Sequence, residues 1–233
     1  MTFLDHRCKP ARELTNNWFS MTTSYSSGDS RSISERYGEA LRYFMGQGNL
    51  NHALTHVAAD LKERGIDYLV VGALALFAHG YPRLTEDIDL VFTSEGLDRF
   101  HDELVGPGYA SAFPGARKRL RSTKDGVRID VITAGEYPGD GKPKPVSFPV
   151  PSQAAIEIDG IRFATLEKLI ELKLASGMTA SDRLKDLADI QELIKIRGLT
   201  RELANDLNPY VQQKYLELWD AVQQGSTNNF EEQ

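Results

Sequence analysis

The segment Arg83-Leu-Thr-Glu-Asp-Ile-Asp-Leu-Val-Phe92 constrains this chain more than any other. Side chains on a β-strand alternate faces, so Ile88, Leu90 and Phe92 share one face and Asp87 and Asp89 the other. Aspartate is disfavoured in strands, and two at i and i+2 repel each other. Either the pair solvates the outer face of an edge strand, or an opposite charge offsets the repulsion. A divalent cation is the simplest such partner. Mg²⁺ prefers hard carboxylate oxygens, usually one or two of them together with substrate phosphates. Arg128-Ile-Asp-Val-Ile132 repeats the pattern: Ile129 and Val131 face a core, and Asp130 faces away with Arg128. If the two strands are neighbours, Asp87, Asp89 and Asp130 converge, as a two-metal phosphoryl-transfer site requires.

The surrounding pattern is strand alternating with helix. Asn51 to Arg64 carries Leu54, Val57, Ala58 and Leu61 at helical spacing, and Gly65 closes it. Tyr68 to Val71 is a short buried strand, and Ala73 to His79 is helical in pattern. Strands follow at Asp87–Phe92 and Val127–Ile132, and a helix containing Arg99 ends near Gly106. Residues 135–153, rich in glycine and proline, read as an extended connector. Ile156 to Phe163 reads as a hairpin turning at Asp159-Gly160. From Thr165 the chain is helical to about residue 222, with Thr165 and Ser181 as helix caps. A short helix is expected over Ile33–Phe44, behind a Ser/Thr-rich lead-in. The expected fold is α/β: a small mixed sheet with flanking helices, then a helical subdomain. Its parts are a flexible lead-in over 1–32, a main domain over 33–163 and helices over 164–233.

Composition excludes several classes. No apolar run approaches the roughly 20 residues that span a bilayer, and the first ten residues lack a secretory core, so a cytoplasmic protein is expected. The single cysteine, Cys8, can build neither an internal disulfide nor a cysteine-built zinc site. A net charge of −6 argues against unselective coating of nucleic acid. Charge is uneven, however. Arg117, Lys118, Arg119, Arg121, Lys124 and Arg128 face one acid, Asp125, within twelve residues. That strip is either a solvated loop or a contact for triphosphate or an RNA acceptor.

Gly72-Ala73 lies where the first strand turns into a helix, a place where a glycine allows either tight packing or close approach of a phosphate. The order of strand, glycine, short helix, turn and D-x-D strand carries more weight than the glycine alone. The run Val71-Gly-Ala-Leu-Ala75, His79-Gly80, Arg83, Thr85 and Asp87-Ile-Asp89 resembles the minimal nucleotidyltransferase superfamily, which has the DNA polymerase β-type fold. It is most similar to the abortive-infection toxin branch, AbiEii-like proteins of type IV toxin–antitoxin systems, and its relatives. The resemblance covers residues 66–132 well and the tail more loosely. It implies that Asp87 and Asp89 bind metal and that Asp130 supplies the third carboxylate. It also implies that Gly72 and Ala73 hold nucleotide phosphates; Arg83 could bind the triphosphate or an acidic neighbour, and its place in the motif favours phosphate. The superfamily usually has Gly-Ser or Gly-Gly where this chain has Gly72-Ala73, which keeps backbone phosphate contacts and removes a hydroxyl one.

In the tail, Leu166, Leu169, Ile170 and Lys173 fall on one helical stripe, which puts a lysine among apolar neighbours. Lys173 either snorkels to the rim or reaches an acidic or phosphate-filled cleft. The motif Lys173-x-Ala175 … Arg183-x-Lys185-Asp186-x-x-Asp189 is similar to the same families, and the resemblance implies that Lys173 contacts phosphates. On the next helix the apolar face is expected through Leu184, Leu187, Ala188 and Ile194. Asp186 and Asp189 then lie away from its centre, either solvated and pairing with Arg183 and Lys185 or carrying a role, with a structural role favoured for Asp189 and a weak functional one for Asp186. Thr85 is expected to shape a turn, His79 to be a satisfied core residue, and Tyr215 and Trp219 to pack the tail. The resemblance implies Mg²⁺ or Mn²⁺ as cofactor and an NTP as substrate. It implies transfer to tRNA or another RNA by a toxin paired with a cognate antitoxin. Two other classes stay open: a small-molecule modifier of the antibiotic-adenylylating kind, and a catalytically silent nucleotide or partner binder.

Overall fold

The structure, a computed structural model, describes residues 48–231, with side chains through residue 225. The expected lead-in, the helix over Ile33–Phe44 and Cys8 lie outside the described residues. Helix α1, Asn49–Glu63, buries Leu50, Ala53, Leu54, Val57, Ala58 and Leu61, the apolar stripe of a helix packed on one face. Gly65 follows it at φ +62, a left-handed turn that a glycine adopts without strain. The chain then forms β1 (Leu69–Val70), α2 (Gly72–Ala78), β2 (Asp87–Phe92), α3 (Ser94–Leu104), β3 (Tyr109–Ser111), β4 (Arg119–Ser122) and β5 (Arg128–Thr133). A hairpin of β6 (Ala155–Ile158) and β7 (Ile161–Ala164) follows. Helices α4 (Leu166–Thr179), α5 (Leu184–Arg197) and α6 (Pro209–Glu231) complete it.

All seven strands form one mixed sheet in the order β3-β4-β5-β2-β1-β7-β6. The β2–β5 and β1–β7 pairs are parallel, and the other four are antiparallel. The strand over Asp87–Phe92 falls where expected, and its buried residues include Ile88, Leu90 and Phe92. The hairpin turns at Asp159 (φ 51) and Gly160 (φ 77), two successive left-handed residues as a tight two-residue loop demands. One apolar core joins Leu69, Ile88 and Ile129 of the sheet to Ile170 and Leu174 of α4 and Tyr215 of α6. His79, buried, shares a 2.7 Å hydrogen bond with the Ala164 carbonyl, and Trp219 donates to the Leu199 carbonyl. Both are packing residues, as expected.

Four expectations need correction. The basic strip is not a loop: its centre is β4, which turns Leu120 and Ser122 inward and Arg119 and Arg121 outward. Thr165 caps α4 by accepting from the Lys168 amide, but Ser181 opens a 3₁₀ turn, Ser181–Arg183, without capping anything. On α5, Leu184 is 66% exposed, and Ala188 is exposed too. Ile194 is buried and Leu187 packs against the core, as expected, but the buried side of α5 also takes in Ile190 and Leu193 and includes Asp186 and Asp189. Finally, the tail helix continues past residue 222, to Glu231.

Candidate active site

The β2–β5 register sets Asp87 opposite Arg128 and Asp89 opposite Asp130. Paired residues share a sheet face, so the three carboxylates gather on one side, as the alternation predicts. On the far side of β5, β4 places Arg119 beside Asp130 and Arg121 beside Arg128. One row across the sheet therefore reads Arg119, Asp130, Asp89. The row ends at Val71, whose amide donates to the Asp89 carbonyl at 3.0 Å.

Gly72 sits at φ +67 beside this row, and a Cβ there would lie 2.1 Å from Asp89 Oδ2. The glycine is thus required for the carboxylate to occupy its place, a reason that the sequence did not reveal. Burial, then the charges of Asp87 and Asp130, push the Asp89 carboxyl up to about 7. Asp87 moves the other way. Burial alone would raise it, but hydrogen bonds from Thr85 and Arg128 outweigh that and hold it below the usual aspartate range. Thr85 therefore does more than shape the turn, since its hydroxyl donates to Asp87 Oδ1. Arg128 pairs with Asp87 and lies 3.6 Å from Asp130 Oδ2. Asp130 Oδ1 is the buried side-chain polar atom left without a hydrogen-bond partner among the described residues.

A cleft of about 550 Å³ opens over these groups. Gly72, Ala73, Arg83, Thr85, Asp87, Asp89, Asp130, Lys173 and Asp186, all expected at a site, line it together. Lys173 is buried, with Nζ 2.8 Å from Asp186 Oδ1 and 2.8 Å from Asp189 Oδ2. Ser176 Oγ donates to the other Asp186 oxygen at 2.7 Å, and Arg83 Nε lies 3.2 Å from Asp189 Oδ1. Asp186 and Asp189 are therefore not solvated partners of Arg183 and Lys185. They form a buried clamp that fixes Lys173 and Arg83 at the cleft wall. The lysine in the apolar stripe signalled that a partner was needed, but not which residue would supply it.

Sequence reasoning also missed the connector as a wall. Gly139 (φ +73) presses on α4 so tightly that a Cβ would meet Thr179 Oγ1 at 2.3 Å and the Ser176 carbonyl at 2.8 Å. This anchors Tyr137, Pro138 and Phe148 against the cleft. Lys118 pairs with Glu136 at the same wall.

The donor set suits a hard divalent cation: carboxylate oxygens only, one of them unpartnered. Among the described residues no group of three or more His, Cys, Asp or Glu side chains is placed to hold a metal ion as it stands. Among the described residues no helix is long and apolar enough to cross a membrane.

No family model matches the chain, and no curated protein matches it. Solved structures give low-identity likenesses. An antigenic nucleotidyltransferase-like protein from Paracoccidioides brasiliensis is 17% identical over 62% of this chain and 74% of its own, with a TM-score of 0.41. JHP933 from Helicobacter pylori is 16% identical over 88% of this chain and 100% of its own, with a TM-score of 0.39. The antibiotic-resistance factor ANT(2'')-Ia is 16% identical over 78% of this chain and 97% of its own, with a TM-score of 0.39. At such identities the functional reading rests on this chain's own side chains.

Proposed function

We propose that the chain is a metal-dependent nucleotidyltransferase that moves a nucleoside monophosphate from an NTP to an acceptor hydroxyl. One observation carries this reading: Asp89 and Asp130 are direct neighbours in register, with Asp87 on the same face, under an open cleft. Asp87, Asp89 and Asp130 would hold Mg²⁺ or Mn²⁺, which supplies charge neutralisation at the reacting phosphate. Asp87 exchanges Arg128 for that role. Asp130 takes the proton from the attacking hydroxyl. The new bond joins the acceptor oxygen to the α-phosphorus, the α–β phosphoanhydride breaks, and pyrophosphate leaves with the pair of bonding electrons. Arg83 and Lys173, held by the aspartate clamp, border the phosphate end of the cleft, and Gly72 and Ala73 line it.

The acceptor in this reading is RNA, tRNA included, and the setting is a toxin held in check by a cognate antitoxin in the cytoplasm. Support comes from β4, which lays Arg119 and Arg121 on the face that bears Asp130. A cationic acceptor, such as an aminoglycoside, would meet the same two arginines as repulsion.

The experiment is label transfer. The full chain is incubated with each α-labelled NTP, Mg²⁺ and total RNA, beside Asp89→Ala. Transfer by the wild type and none by the variant is expected, with loss of transfer on chelation. No transfer by either chain would end the catalytic reading and leave a silent nucleotide or partner binder, and equal transfer by both would end the role of Asp89.

A further inference from the structure

Six cations line the cleft and Arg128 stands beside it on the carboxylate face, and four of these seven arrive already neutralised. Arg83 is paired with Asp189, Lys118 with Glu136, Arg128 with Asp87, and Lys173 with Asp186 and Asp189. Arg119, Arg183 and Lys185 line the same cleft, and among the described residues their side chains have no ion-pair or hydrogen-bond partner. Exposed arginine and lysine side chains that border a cleft without a carboxylate partner mark where an anion can be bound without breaking an existing pair.

These three cations are supplied by two separate elements. Arg119 stands beside Asp130, on the β4 side. Arg183 and Lys185 come from a different element, at the start of α5. Arg183 lies near enough to Asp89 and Asp186 that its charge favours the ionised form of both. Asp186, next in the chain after Lys185, is saturated by Lys173 and Ser176 and pairs with neither Arg183 nor Lys185.

We infer that Arg183 and Lys185 bind the β- and γ-phosphates of the NTP, whereas Lys173 and Arg83 mainly shape the wall behind them. This inference rests on the nucleotide reading given above and deepens it by assigning two phosphate ligands. It also assigns Asp186 and Asp189 as positioning residues, because they neutralise the inner pair of cations and leave the outer pair to the ligand.

The probe is inorganic tripolyphosphate with Mg²⁺, alongside ATP, titrated calorimetrically into the full chain. Arg183→Gln with Lys185→Gln should weaken tripolyphosphate and ATP binding at least tenfold each. The conservative swap, Arg183→Lys with Lys185→Arg, should restore affinity to within about threefold. An equal charge change elsewhere, Lys195→Gln with Arg201→Gln, should leave affinity unaltered. Both sites are exposed, so thermal melting should show all variants folded. If the double Gln variant binds tripolyphosphate like the wild type and still transfers label, the phosphate assignment is overturned and the nucleotidyltransferase reading stands. If the wild type binds neither tripolyphosphate nor any NTP, both fall together.

Discussion

A lysine buried between two buried carboxylates is worth little for having formed and costs much to break. Lys173, Asp186 and Asp189 are all at or below 7% exposure, and each contact is 2.8 Å. Removing one carboxylate leaves a buried ammonium half-paired. Asp186→Asn keeps the shape and the Ser176 contact but deletes the charge. It should cost about 2–4 kcal/mol at pH 7. The pH dependence follows from the direction of the Asp186 shift. Burial would raise its carboxyl, but Lys173, Ser176 and Arg183 outweigh burial and hold it below the ordinary range. A depressed native pKa gives stability that is present above the unfolded value, roughly 3.9. That stability is lost as pH falls through the native value. Urea unfolding of wild type and Asp186→Asn between pH 7 and pH 3 should therefore show the gap closing only below about pH 4. A gap that stays constant through this range would mean that Asp186 contributes shape and not charge.

Helices α4 and α5 meet at Gly177, where a Cβ would stand 2.6 Å from Leu187 Cγ and 3.3 Å from the Arg183 carbonyl. Alanine at an open helical glycine gains roughly 0.5–1 kcal/mol. Here the crossing has no room, and overpacking should turn that gain into a loss of about 1–3 kcal/mol. Gly225 on α6 meets nothing within 4 Å and serves as the comparison. Melting temperature should fall for Gly177→Ala and rise for Gly225→Ala, and a rise for both would show that the two helices are not in close contact. This crossing was illegible in the sequence, as was much that depends on a partner element. Strands β2 and β5 were legible because apolar and acidic residues alternate with period two, which fixes both the strand and its faces. Strand β4 was hidden because arginines occupy its outward positions, so its residues read as a charge run. Its extended state comes from pairing with β5. The burial of Asp186 and Asp189 was hidden for a related reason: the charge that stabilises them sits on α4, and helical periodicity counts only the residues of one helix. The glycine and proline of 135–153 revealed irregular backbone but not that Gly139 docks it on α4.

For the molecule as a whole, the charge distribution decides how a polyanion can approach. The chain carries a net charge of −6, so its average field repels RNA, and attraction has to come from a local feature. Strand β4 is such a feature. Arg119 and Arg121 are exposed on the carboxylate face, and Arg121 stands directly opposite Arg128. Like charges side by side on a sheet are unfavourable unless an anion lies between them. The RNA acceptor proposed above would place backbone phosphates there, which brings its hydroxyl towards Asp130 from the side away from the triphosphate. Each phosphate neutralised on a single strand contributes about 0.7 to the slope of log affinity against log salt. Arg119→Gln with Arg121→Gln should therefore weaken RNA binding at low salt and flatten that slope by about 1.4. Tripolyphosphate affinity should stay unaltered, since neither arginine lies on the α5 side of the site. Fluorescence anisotropy with a labelled RNA at four or five salt concentrations measures both quantities. An unchanged slope would place the RNA elsewhere on the molecule, while a parallel loss of tripolyphosphate binding would merge the two anion sites into one.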